Sequence, residues 1–141
     1  MDLEQLRYPV GRFTQVVPLT AASCSAAIEQ LAALPARLRS AVDGLADAQL
    51  DTPYRPEGWT VRQLVHHLAD SHMNALIRIK LALTEENPII KPYDENAWAT
   101  LPDARLPVHG SLAILEGVHE RWAMTCSSLT EEQWLRTFVH P

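Results

Sequence analysis

An all-α bundle is the fold class this sequence predicts. Apolar residues recur at helical spacing in three separate segments, prolines and glycines punctuate them, and no stretch alternates convincingly as a β-strand. A chain of 141 residues suits a single domain spanning 1–141: a core of that size can bury enough apolar surface to fold, and a second one has no room.

In the first segment Ile28, Leu31, Leu34, Leu38, Val42 and Leu45 recur at spacings of three and four, which stacks them on one helix face. Gly44 marks its end. Pro35 interrupts it, because proline lacks an N–H and clashes with the preceding turn; either the helix kinks there or Pro35 sits in the first turn of the stronger half. The second helix is predicted to start at Val61, because Thr60 followed by Gln63 forms a capping box ahead of the run Val61, Leu64, Val65, Leu68, Ala75, Leu76, Ile79 and Leu83. Asn87-Pro88 forbids continuation. From Pro88 to Pro107 four prolines and no sustained period predict a long ordered loop over the bundle. The third helix follows Ser111, a plausible N-cap, with Leu112, Leu115, Val118, Trp122, Cys126 and Leu129 as its buried stripe. The first and third helices are expected to pack their stripes against the second.

The first and third stripes map onto one another at a constant offset of 84, and Gln49-Leu50 finds its counterpart in Gln133-Trp134 at the same offset. In the first copy the turn that follows leads into the second helix; in the second copy it reaches His140-Pro141. The pattern therefore predicts a fourth helix outside this sequence.

A net charge of −5 with scattered Lys and Arg argues against nucleic acid as a partner, since few phosphate counterions would be released. The N-terminus has no basic segment followed by an apolar one, and no run of about 18 apolar residues occurs, so neither export nor a membrane is expected. Cys24 and Cys126 are far apart and form no C-x-x-C pair, which fits reduced structural thiols in the cytoplasm.

The densest polar cluster is HHLADSHMN. At about 100° per residue its three histidines cannot share a direction. His72 falls on the stripe of Leu68, Ala75 and Leu76 and reads as a buried, hydrogen-bonded core histidine; His66 lies nearer Met73 and Ile77 and reads as a partly exposed surface or interface imidazole. His67 belongs to a polar strip with Thr60, Gln63, Ser71, Asn74 and Arg78, which either faces solvent or lines a site. His109, His119 and His140 form no H-x-x-x-H pair that could join it.

The stretches LDTPYRPEGWTVRQLVHHLADSHMN, IKLALTEENPIIKPYDENAW and GSLAILEGVHERW resemble the YfiT branch of the DinB-like superfamily over nearly the whole chain. The resemblance implies a four-helix bundle, often dimeric, that binds a divalent metal through one histidine of its second helix and an H-x-x-x-H pair of its fourth. The second histidine of the H-H pair is the matching ligand, His67, and no H-x-x-x-H occurs after it, so the chain is expected to be C-terminally incomplete, with three helices and a long Pro-rich loop present, the other reading being a naturally metal-free relative. By the same resemblance the complete protein is expected to be a metal-dependent hydrolase or a transferase acting on a low-molecular-weight thiol of the bacillithiol type. Zinc or nickel would be the metal, a small molecule the substrate, and the assembly a homodimer. Asp70 and Asn74, one and two turns beyond His67, are candidates to orient a ligand, or else are ordinary surface residues. Trp59 and Tyr93 are candidates to wall the substrate pocket, although a tryptophan beside a capping box also serves as a packing staple. The competing class is a non-catalytic dimerisation or binding module. One imidazole cannot hold a divalent ion against bulk water, so the 141 residues alone are expected to bind metal weakly and to be inactive.

Overall fold

The computed structural model describes residues 2–14 and 20–141. Their helices are α1 (Leu3–Arg7), α2 (Ala21–Val42), α3 (Asp47–Leu50), α4 (Val61–Thr84), α5 (Glu95–Trp98), α6 (His109–Ser127) and α7 (Glu131–Trp134), with a 3-10 turn at Pro102–Arg105. Among the described residues there is no strand, only isolated bridges pairing Pro53 with Thr60 and Ile89 with Val139. None of these helices is long and apolar enough to cross a membrane.

The capping box starts α4 where the sequence predicts. Thr60 Oγ1 accepts from the Gln63 N–H at 3.1 Å while Gln63 Oε1 accepts from the Thr60 N–H at 2.9 Å. Gly44, at φ +73°, adopts the left-handed conformation just past the end of α2. Ser111, however, is not an N-cap. α6 begins at His109 with Val108 at the cap, because Leu106 before Pro107 is held extended and the chain turns helical as soon as that restriction is past. The Ser111 hydroxyl pairs instead with His66 Nδ1 at 2.7 Å. The span from Pro88 to Pro107 also carries more structure than a plain loop. Asp94 accepts from the Ala97 N–H at 2.9 Å and nucleates α5, Pro102 opens the 3-10 turn, and Gln63 Nε2 donates to the Ala99 carbonyl at 2.8 Å, tying the segment to α4.

The offset of 84 recurs in the backbone: α7 begins and ends that far beyond α3. In each, a glutamine side chain three residues into the turn accepts from the cap N–H, Gln49 from Ala46 at 2.9 Å and Gln133 from Thr130 at 3.0 Å. Beyond α7, Arg136 donates to the Ala82 and Glu85 carbonyls at the C-terminal end of α4, and Val139 exchanges backbone hydrogen bonds with Pro88 and Ile90 at 2.9 and 3.0 Å. The last residues are thereby fastened beside the start of the long loop.

The packing order differs from the expected one. α6, not α4, is the hub, packing against both α2 and α4. Its buried residues Leu112, Leu115, His119 and Cys126 form a band wide enough to serve two neighbours, and Leu115 and His119 have no exposed surface at all. At one end Val42, Leu50, Val65 and Leu112 form the core cluster, backed by Leu38, Leu45, Val61 and Val108. There Arg62, only 7% exposed, donates through Nε to Asp51 and through Nη2 to Asp47, both at 2.7 Å, and through Nη1 to the Leu106 carbonyl at 3.3 Å. One guanidinium thus joins α3, α4 and the end of the long loop.

Pro35 lies in the interior of an unbroken α2 and not in its first turn. Its missing N–H leaves the Leu31 carbonyl without the partner four residues on. His119 of α6 supplies one: its Nδ1 lies 2.5 Å from the Leu31 oxygen. Pro35 and His119 should therefore be energetically coupled. His119→Leu should cost about 1–3 kcal/mol, the penalty for a buried carbonyl left unpaired. In a Pro35→Ala background, where the restored backbone N–H donates to the Leu31 carbonyl, the same change should cost less. Urea unfolding of both single variants and the double variant measures this, and strict additivity would show that the two sites are independent.

Candidate metal centre

His67 stands about two turns into α4, and its setting is built by the turn before that helix. Residues 53–60 fold back on themselves, with the Tyr54 N–H donating to the Trp59 carbonyl at 3.1 Å. Gly58 is required there: a Cβ would meet Arg55 Cγ at 2.6 Å and Tyr54 Cε1 at 3.0 Å. This turn lays the Trp59 ring against His67, with centroids 4.6 Å apart and planes inclined at 57°. Trp59 is half-buried, and it restricts the imidazole from one side.

Further along the same helix Asp70 is half-buried, and its carboxyl is held above the ordinary carboxylate range, chiefly by burial and then by Asp103, with His67 and His66 acting in the opposite sense. Asn74 donates through Nδ2 to the Asp70 backbone carbonyl at 2.9 Å, so its amide nitrogen is spent on the helix itself. Tyr93, from the long loop, stacks on Trp98 at 4.4 Å and lies under the Arg78 guanidinium at 6.0 Å. Burial and the Asp70 charge push its phenol up. Of the candidate site residues, Trp59 thus lies against His67, Tyr93 feels the charge of Asp70, and Asn74 makes only the local bond.

The other histidines divide by their neighbours. His66 is a half-exposed interface imidazole: Nδ1 meets Ser111 Oγ at 2.7 Å and Nε2 the Leu106 carbonyl at 2.9 Å, because the start of α6 crosses it. His72 is hydrogen-bonded toward the core, with Nδ1 2.7 Å from His119 Nε2 and its ring edge-on to Trp122, but it is half-buried rather than buried, because α6 covers one side of it only. Burial, His119 and His67 lower its pKa to about 4. The role of His119 escaped sequence reasoning, although the signal was present: it falls one turn after Leu115 on the buried stripe, where a polar residue needs a partner. His140 is exposed and contacts only the neighbouring Pro141 carbonyl. Both cysteines are free thiols, Cys126 buried and Cys24 half-buried, and burial pushes the Cys126 thiol up.

Among the described residues no three His, Cys, Asp or Glu side chains converge in a group able to hold a metal ion. His67 with Asp70 nearby falls short of the three protein ligands a catalytic ion needs. These residues alone do not fit a bound metal.

Residues 30–141 match the sequence profile of the DinB superfamily. The chain belongs to the DinB superfamily. DinB-superfamily relatives from Bacillus cereus strain AH820 and Bacillus anthracis strain CDC 684 are 52% identical over 139 residues, covering 99% of this chain and 80% of theirs; their names assign them provisionally to the metal-dependent hydrolases. The solved structure of YfiT from Bacillus subtilis, described as a probable metal-dependent hydrolase with an unusual four-helix bundle topology, superposes with a TM-score of 0.94 at 49% identity, covering 97% of this chain and 79% of that one. α2, α4 and α6 are this DinB chain's three long helices within that topology.

The His72 environment sets an acid limb of stability. Its folded pKa of about 4 lies below the ordinary 6.5, so the unfolded chain takes up the proton first. That contribution is complete above pH 6.5 and lost as pH falls toward 4. Asp70, raised above 3.8, works in the opposite direction: its contribution is complete below 3.8 and lost as pH rises through its folded value. Urea midpoints for wild type and His72→Asn between pH 7 and 4 should converge toward acid, since asparagine can still donate to His119 but does not titrate. Parallel curves would remove His72 as the cause.

Proposed function

We propose that this DinB-superfamily chain forms the larger part of a metal-dependent hydrolase acting on a small-molecule substrate, with His67 as the ligand it contributes. The observation that carries this reading is the position of His67: it sits on the polar strip of α4, pinned by Trp59, in a chain 52% identical to relatives named for that activity. The remaining ligands are assigned to an H-x-x-x-H pair outside residues 1–141, since the relatives carry about a fifth of their length beyond the shared span. A zinc or nickel ion so held would supply Lewis acidity and an activated nucleophile. This chain's residues would do the positioning: Trp59 and Tyr93 wall the pocket, and Asp70, with its raised pKa, accepts or holds a proton beside His67. Transfer of a low-molecular-weight thiol is a finer alternative within the same site, because a metal that activates water also activates a thiol. A homodimer in the cytoplasm completes the reading.

The test is metal content. A protein lengthened to the span of its relatives should retain about one divalent ion per chain after dialysis against chelator, and His67→Ala should lose it with helical circular dichroism unchanged. The 141-residue form should retain little. Retention of the ion by His67→Ala would refute the assignment, and absence of metal from the lengthened protein would leave a non-catalytic binding module.

A further inference from the structure

His72 has a second ring nitrogen that the packing of α4 on α6 does not use. Nδ1 faces His119, but Nε2 makes no hydrogen bond to any described residue, and no side-chain nitrogen or oxygen without a partner is sealed from solvent there. What that nitrogen can do depends on where the proton sits, and the chain of contacts behind it decides this. The Leu31 carbonyl can only accept, so the proton of His119 must be on Nδ1, 2.5 Å away. A neutral His119 then has a lone pair on Nε2. The nitrogen facing it at 2.7 Å, Nδ1 of His72, must be the donor. No carboxylate lies within ion-pair distance of either ring among the described residues to favour an imidazolium.

We infer that Pro35, the Leu31 carbonyl and His119 form a tautomer lock, which fixes the proton of His72 on Nδ1 and presents its Nε2 lone pair as a hydrogen-bond acceptor for a small protic ligand, a water, hydroxyl or thiol. A free histidine in water favours the opposite tautomer only slightly, so one buried bond suffices to reverse it. The groups electrostatically coupled to His72 are His119 from α6 and His67 from its own helix; with burial they keep it neutral down to about pH 4, so the acceptor persists across the neutral range. The lock depends only on residues present in this chain and not on the metal reading of His67.

Nitrogen-15 spectra of the imidazoles test the inference, with the His72 signals assigned by their absence in His72→Asn. Between pH 6 and 8 the His72 ring should show a protonated Nδ1 and an unprotonated Nε2, and His119 the same pattern. A protonated Nε2 on His72 would overturn the lock. Diethyl pyrocarbonate, which acylates an unprotonated, reachable imidazole nitrogen with loss of ethyl carbonate, should label His72 on peptide mapping and leave His119 unlabelled in the folded protein. Failure to label His72 at concentrations that label the exposed His140 would overturn the accessible acceptor even if the tautomer is as stated.

Discussion

One hydrogen bond organises the middle of this molecule: His119 Nδ1 to the Leu31 carbonyl. A proline inside a long helix normally leaves a carbonyl that must find water or distort the helix. Here the orphan is part-buried against a neighbouring helix, and the imidazole that satisfies it is itself satisfied by a third helix through His72. The bond therefore sets the register of α2 on α6 and of α6 on α4 at once. Apolar packing alone tolerates sliding, because one leucine fills another's place with small loss. A buried polar chain does not, because each unpaired group costs about 1–3 kcal/mol.

A second polar junction works at one end of the core. Arg62 is nearly buried while its partners Asp47 and Asp51 are 88% and 57% exposed at the side chain. The pair is asymmetric: carboxylates that lose the arginine return to water, whereas the guanidinium deprived of both would be a buried charge without a partner. α3 is held to α4 by this means, and α7, its counterpart at an offset of 84, lies where Arg136 plays a comparable part by capping α4. The two copies thus share backbone form but not the interaction that anchors them.

The polar strip of α4 is placed by these constraints rather than by its own preferences. With α6 against one flank of α4, His66 and His72 are both engaged by residues of α6 or just before it. His67, turned away from that contact, meets Trp59 instead. Three histidines within seven residues consequently have three different environments: one bonded to a serine and a carbonyl, one set at a tilt against an indole, one facing a second imidazole with its pKa lowered. Of the three, only His67 makes no hydrogen bond to a described residue.

Fold class, the start of α4 at Val61 and the repeat of α2–α3 in α6–α7 were determined by the sequence itself, because helical period, a capping box and turn punctuation are local and act within a few residues. That the three histidines of α4 cannot share one direction follows from the sequence for the same reason, since rotation per residue is a property of the helix alone. Which helix forms the hub, where α6 begins, and who covers the Leu31 carbonyl were decided only by tertiary structure. Those outcomes join residues 88 apart at His119 and Leu31, or 45 apart at His66 and Ser111. No period in the chain specifies such a pairing; it follows from the balance of burial and hydrogen-bond satisfaction once the helices have met.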